Sequence, residues 1–218
     1  MSGASPPIGL VGSVNAVHGV CGFTSTFTAL YAQNPGKRPL LINGAPRVTR
    51  VLADIKVYLK LLEAAADGKA LLTEINQFNI DMYPQYPNLA AYPWTNLADF
   101  IERIDDCVER LAMISTMEED NAILNKINFT LFMPPRGVAD FIRRSWGWAA
   151  TISELPTGLG ENCIVGVARP GVTNGYHDLV HWMYKRGAQY WSWGSLYASV
   201  QAANPAYTVI YSIELAPN

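Results

Sequence analysis

Cysteine and histidine are well suited to attack a carbonyl and to transfer a proton near neutral pH, and this chain of 218 residues holds only three of each. Cys21 has the most informative neighbourhood, because it lies between glycines in the segment Gly19-Val20-Cys21-Gly22. Phe23, Phe27 and Leu30 follow at helical steps, so a helix begins at or just after Cys21. The unpaired N–H groups and the positive dipole end of a helix N-terminus stabilise a thiolate. The sequence therefore predicts a nucleophilic Cys21.

An attacking thiol also needs a base, and the three histidines are the candidates. His18 is too close to Cys21 in sequence for its geometry to be determined. His177 and His181 lie in a segment rich in Val, Trp and Tyr that predicts a strand, where positions four apart are separated by about 13 Å. Only one of these two can meet the thiol. We expect it to be His177, with His181 as the alternative.

The residue that orients the base depends on the turn that follows this strand. A three-residue turn at Lys185-Arg186-Gly187 places Ser195 opposite His177. A two-residue turn instead places Ser192 opposite His181. Backbone carbonyls or water can also fix the tautomer of the ring. The third member of the site is left open, and the side-chain candidates are Gln189, Ser192 and Ser195.

The rest of the chain must position these groups, and its pattern is helical first and extended later. Apolar residues recur at helical spacing within 48–62 and within 97–114, and Thr116 with Glu119 has the capping-box spacing that predicts a helix from Met117 to about Lys126. Four later runs are typical of strands: 163–168, 178–184, 189–197 and 207–215. We therefore predict an α+β fold with a Cys-bearing N-terminal helix, a helical middle and a C-terminal antiparallel sheet.

Charge is scarce and unevenly distributed. The chain has 16 Lys and Arg against 18 Asp and Glu, and no charged residue occurs in 1–36 or in 187–213. A sequence pI near 5.9 without a basic stripe is not that of a nucleic-acid-binding protein. No apolar stretch reaches the 18–20 residues or so of a membrane-spanning helix. The segments 15–31 and 175–197, which carry Cys21 and two of the histidines and lie in or against these neutral stretches, are expected to meet in a buried seam.

The cysteine count and the N-terminal residues bear on the compartment. Three cysteines form no disulfide framework, which fits a reducing environment. The first residues lack the basic start and continuous apolar segment of a secretory signal. We expect a cytoplasmic protein, or one exported by a route that uses no signal peptide. Cys107 and Cys163 both fall in apolar stripes, so each is interpreted as a packed core thiol.

Several of these features resemble the papain-like cysteine peptidase superfamily. They are the Cys21-Gly22 pair opening a helix, an amide side chain six residues earlier at Asn15, a His beginning a strand near the C-terminus, and Ser192-Trp193-Gly194. The resemblance covers about 45 residues at the two ends. Trp191 stands where the family has its orienting Asn.

This resemblance implies a single papain-like domain over 1–218, with a helical insertion at about 45–130. It further implies a thiol hydrolase in which Cys21 attacks, His177 is the base and Asn15 binds the oxyanion, with no cofactor or metal. The substrate is expected to be a protein or peptide, and an effector or toxin with a cognate inhibitor or immunity protein fits this reading. Deamidases, peptidoglycan amidases and acyltransferases share the fold, so they remain alternatives.

Two alternatives need no catalytic thiol. One is a zinc site, because the pattern of His18 with Cys21 and His177 with His181 superficially resembles a set of four zinc ligands. A strand between His177 and His181 would keep these two side chains apart. A non-catalytic interaction module on the same fold is the other, and its signature is an unreactive Cys21.

Overall fold

A computed structural model describes residues 19–33, 47–85, 96–112, 131–193 and 195–217. The described helices are α1 (Cys21–Gln33), α2 (Arg47–Ala64), α3 (Gly68–Met82), α4 (Leu97–Ala112), α5 (Pro135–Trp146) and α6 (Val200–Ala203), and a 3-10 turn spans Tyr83–Gln85. The strands are β1 (Ala149–Glu154), β2 (Asn162–Ala168), β3 (Leu179–Arg186), β4 (Gln189–Ser192), β5 (Ser195–Tyr197) and β6 (Thr208–Ala216). The predicted α+β class is confirmed.

The six strands form one antiparallel sheet in the order β1-β6-β2-β3-β4-β5. The turn between β3 and β4 consists of Gly187 and Ala188, because Arg186 pairs with Gln189. Gly187 has φ +58°, a left-handed conformation that glycine adopts at little cost in two-residue hairpins. The prediction of a three-residue turn at 185–187 is therefore wrong. The single strand predicted at 189–197 is two strands, β4 and β5.

The helical predictions agree with the structure where it describes the chain. The apolar stripes predicted within 48–62 and 97–114 correspond to α2 and α4, and the predicted Cys-bearing helix is α1. The helix predicted from Met117 to about Lys126 lies outside the described residues. The sequence interpretation did not include α3, α5 or the edge strand β1.

Helix α1 packs on strand β3 of the sheet and on helices α2 and α5. On one side the Phe23 ring packs edge-to-face on Phe141 of α5, with 4.8 Å between centroids. On the other side Ser25 donates a 2.9 Å hydrogen bond to the Trp182 carbonyl of β3. At the far end of α1, Arg186 donates to the Ala32 carbonyl. The helix that begins with Cys21 is thus held along the length of β3.

Among the described residues, no helix combines the length and apolar character needed to span a membrane.

Candidate functional site

Cys21 is the first residue of α1 and is buried, with 4% of its surface exposed. The chain reaches it through Gly19 at φ +61°, and the Val20 carbonyl accepts hydrogen bonds from the N–H groups of Phe23 and Thr24. The predicted helix start at this cysteine is confirmed. Gly22 packs closely against the start of α5, since a Cβ there would lie 3.0 Å from Val138 in that helix and 2.9 Å from Cβ of Met133 just before it.

The Cys21 thiol lies against the backbone of β3. Burial raises its pKa to about 12, and hydrogen bonds from the backbone of Trp182, of Gly22 and of Cys21 itself act in the opposite direction. A group that lowers a thiol pKa must donate to the sulfur, so the Trp182 group is its N–H. That nitrogen directly follows His181 in the chain. The thiol therefore lies near the Trp182 N–H of β3, and burial favours its neutral form.

His181 is buried within the hairpin of β3 and β4. Its Nε2 atom lies 2.5 Å from Oγ of Ser192, and its ring stacks on Trp193 at 4.2 Å with 13° between planes. Tyr207 lies on the same stack, 6.1 Å from the His181 ring. Burial lowers the pKa of His181 to about 3, so the imidazole is neutral at physiological pH. Ser192, one of the predicted candidates for the third member, thus contacts a histidine.

The hairpin register explains how Ser192 reaches His181. Tyr184 pairs with Trp191, so the next residue, Ser192, lies diagonally across from His181 on the neighbouring strand. Diagonal neighbours in antiparallel pairs are about 7–8 Å apart, within reach of an imidazole and a hydroxyl. Ser192 is therefore diagonal to His181. The prediction from a two-residue turn, that Ser192 lies directly opposite His181, is wrong.

The other two candidates for the third member lie elsewhere. Ser195 pairs with Ser192 in the next hairpin, so the prediction that it lies opposite His177 is wrong. Gln189 pairs with Arg186 beside the turn.

His177 lies in a different environment. His177 lies in a turn just before β3, although the sequence predicts a strand position there. The φ angle of His177 is +50°, and that of its neighbour Asp178 is +60°. The Nε2 atom of His177 is in hydrogen-bond contact with a carboxylate oxygen of Glu154 at the end of β1, and its ring lies 5.8 Å from that of Tyr211. No sequence signal pointed to Glu154.

A row of paired residues that crosses four strands of the sheet separates the environments of His181 and His177. Trp182 pairs with Gly166, Gly166 with Tyr211, and Tyr211 with Glu154. Three inter-strand steps, about 14 Å in all, lie between Trp182 and Glu154. The Trp182 indole lies over Gly166, because a Cβ there would come within 2.8 Å of its ring.

The predicted dyad of Cys21 and His177 is not assembled in this arrangement. Among the described residues, the two share no hydrogen bond or ring contact, and Cys21 approaches the His181 peptide. The thiol shares no hydrogen bond with either described imidazole ring. The predicted oxyanion residue Asn15 and the third histidine, His18, lie outside the described residues.

The comparisons with protein-family models, with curated proteins and with solved structures found no match. The site is therefore interpreted from its own geometry.

The remaining cysteines were predicted to be packed thiols. Cys163 is fully buried in β2, and its pKa is raised to about 12 by burial and by Glu214, while Lys185 lowers it. Its packing as a core thiol is confirmed. Cys107 lies in α4 as predicted, and its side chain is outside the described part of the chain. Across the described residues, no cluster of three or more His, Cys, Asp or Glu side chains could hold a metal ion.

Proposed function

We propose that this chain is a papain-like thiol hydrolase that cleaves a peptide or amide bond, with Cys21 as nucleophile, His181 as base and Ser192 as the residue that positions the imidazole. The observation that supports the proposal is the position of Cys21 at the first residue of α1, which Ser25 anchors to the Trp182 carbonyl of β3, next to the buried His181 that is bound to Ser192 and stacked on Trp193. His177 was the predicted base, and its pairing with Glu154 favours His181 instead.

A general-base step starts from a neutral thiol and a neutral imidazole, and burial favours the neutral form of both Cys21 and His181. When Nε2–H donates to the Ser192 hydroxyl, Nδ1 is the basic nitrogen of the neutral ring. In the proposed reaction Nδ1 takes the thiol proton as sulfur attacks the carbonyl, and the leaving amine then accepts that proton. Water hydrolyses the resulting thioester, again with His181 as base, and releases the acid. The N–H of Cys21 at the start of α1 is a donor for the oxyanion.

The substrate class follows from the resemblance and from the length of the helical region. A protein or peptide substrate is our first assignment, and deamidation, peptidoglycan cleavage and acyl transfer use the same chemistry at the thiol. Delivery as an effector or toxin with a cognate inhibitor is part of the same proposal, as is a cytoplasmic location or export without a signal peptide.

The test is covalent labelling of Cys21 by an acetylated leucyl-leucyl-phenylalanyl chloromethyl ketone, located by peptide mapping. The wild-type protein and the His177→Gln variant are expected to be labelled at similar rates at pH 7.5. The Cys21→Ser variant is expected to show no adduct at that position, and His181→Gln to react at least 100-fold more slowly, because general-base catalysis contributes that much or more. Circular dichroism of each variant controls for folding. A folded His181→Gln protein labelled at the wild-type rate would overturn the assignment.

A non-catalytic interaction module is the second candidate, and one observation favours it. Cys21 is buried and its pKa is raised to about 12, which is the environment of an inert core thiol. The same labelling experiment separates the two, since a module leaves Cys21 unlabelled until the protein is unfolded.

A further inference from the structure

Three reactive side chains that the proposed function does not use lie in one row across the sheet. Cys163 of β2 pairs directly with Lys185 of β3 on one side and with Glu214 of β6 on the other. Directly paired residues point to the same face of a sheet, with Cβ atoms about 4.5–5.5 Å apart. Glu214 is also the only charged residue after Arg186 in the sequence. This set of three residues, the thiol row, combines a thiol, an ammonium group and a carboxylate.

All three side chains of the thiol row contact the backbone of Gly160, in the loop that leads into β2. The Lys185 Nζ atom donates a 2.6 Å hydrogen bond to the Gly160 carbonyl, and the Cys163 Sγ atom lies 3.8 Å from the same oxygen. The Gly160 N–H donates to Oε1 of Glu214 at 3.1 Å. A Cβ on residue 160 would clash with the Glu214 carboxylate, so this close contact requires glycine. One peptide carbonyl is therefore held against both an ammonium group and a thiol.

These contacts match what a thiol needs in order to attack a carbonyl. An ammonium group at the oxygen stabilises the negative charge that develops there. Burial, and then the charge of Glu214 and a hydrogen bond to it, raise the pKa of Cys163 to about 12, while Lys185 lowers it. The thiol thus holds its proton beside a carboxylate that can accept it. Because Cys163 is fully buried, the carbonyl within its reach is the one already packed against it, that of Gly160.

We propose that the thiol row cleaves the chain's own peptide bond between Gly160 and Glu161. The sulfur attacks the Gly160 carbonyl carbon while Lys185 stabilises the oxyanion. Glu214 takes the thiol proton and passes it to the Glu161 nitrogen as the C–N bond breaks, which leaves a thioester between Gly160 and Cys163. Water then hydrolyses the thioester, releasing the Gly160 carboxylate and restoring the thiol. This activity is intramolecular and does not depend on the hydrolase function proposed above.

The test starts from the wild-type protein. The amine released at Glu161 stays next to the thioester, so the first step reverses until water or an added thiol captures the acyl group. The protein is therefore incubated at pH 8 with and without 2-mercaptoethanesulfonate and analysed by mass spectrometry under denaturing conditions. We expect fragments 1–160 and 161–218, formed at least about 10-fold faster with the added thiol, since its thiolate is a better nucleophile than water. Fragment 1–160 should then carry the thioester of the added thiol at Gly160.

Two results of this incubation would overturn the inference. One is a chain that stays intact for a week in the presence of the thiol. The other is a first-order rate constant that rises with protein concentration, because that would mean cleavage of one copy by another.

Substitutions in the thiol row separate the roles. Cys163→Ala is expected to give no fragments, and Lys185→Met to cleave at least about 100-fold more slowly, because it removes the donor to the oxyanion. Lys60→Met is the matched control, since Lys60 is an exposed lysine of α2, and it should cleave at the wild-type rate. Circular dichroism of each variant controls for folding. Fragments that persist in a folded Cys163→Ala protein and disappear in Cys21→Ala would assign the cleavage to the other thiol and contradict the inference.

Gly160→Ala tests the placement of the carbonyl. The added Cβ must push the loop away from Glu214, so we expect cleavage to slow at least about 10-fold, because a small misplacement of reacting atoms is costly. Gly158→Ala is the control, as no atom lies within 4 Å of its Cβ position. Equal cleavage rates in these two variants would contradict the inference.

Discussion

The Nε2 atom of His181 lies 2.5 Å from the Oγ atom of Ser192, across the hairpin of β3 and β4. The indole of Trp193 covers the same ring at 4.2 Å, so both the rotation and the plane of the imidazole are fixed. A serine hydroxyl can donate or accept, and only the arrangement in which Nε2–H donates leaves Nδ1 basic. The proposed function of the site therefore depends on which partner of this pair supplies the proton.

Ser192→Ala tests this relationship. Without the hydroxyl, the imidazole is free to take the other tautomer and to rotate, and we expect Cys21 labelling by the tripeptidyl probe to slow about 100-fold. Ser192→Asn should recover part of the rate, since its carbonyl oxygen accepts from Nε2–H. Labelling rates measured from pH 5 to 9 separate loss of the base from loss of probe binding. A wild-type rate in Ser192→Ala would show that the serine has no positioning role.

Gly166→Ala tests the row that separates the two histidine environments. A Cβ at this position would lie 2.8 Å from the Trp182 ring and 3.0 Å from Cβ of Tyr211, so the indole must move or the strands must shift. Overpacking of this kind costs about 1–3 kcal/mol, measured as a lower free energy of unfolding in urea. Gly158→Ala is the control, because no atom lies within 4 Å of its Cβ position. Equal stability of the two variants would contradict the packing described.

The predictions that succeeded depend on local pattern. The stripes of α2 and α4, the helix beginning at Cys21 and the strong strands β2, β3 and β6 all follow from the spacing of apolar residues. Strand β1 was missed because Ala149–Glu154 contains two alanines, a serine and one Ile, too weak a pattern for an edge strand. Its position was set by pairing with β6, which is a long-range interaction.

The choice between the histidines could not be made from the sequence for a related reason. One residue of turn length decides which side chains meet across a hairpin, and both turn lengths were compatible with Lys185-Arg186-Gly187. The partner of His177, Glu154, belongs to the missed edge strand, so no pattern near His177 could reveal it. Tertiary pairing, and not residue type, placed the two histidines in different environments.

The pKa of His181 predicts an acid-sensitive fold. Its pKa of about 3 in the folded protein lies below the ordinary histidine value of 6.5, so the unfolded chain binds a proton that the folded chain does not over that range. The stabilising contribution is complete above pH 6.5 and is lost as the pH falls from 6.5 through 3. Urea midpoints measured across this range should fall with pH, less steeply in His181→Gln than in the wild type. Parallel slopes in the two proteins would mean that His181 is protonated in the folded state.

The reactivity of Cys21 towards a small reagent distinguishes a neutral thiol from a preformed thiolate. With a pKa of about 12 and a buried sulfur, Cys21 should react with iodoacetamide at pH 8 at least about 100-fold more slowly than free cysteine, and the rate should rise up to pH 11. Unfolding in urea should abolish the difference, which controls for reagent quality and mapping efficiency. The tripeptidyl probe is expected to react faster than iodoacetamide at neutral pH, because His181 removes the proton as the bound carbonyl is presented. An iodoacetamide rate that levels off below pH 7 would instead reveal a stable thiolate and imidazolium pair, and would contradict the neutral thiol described here.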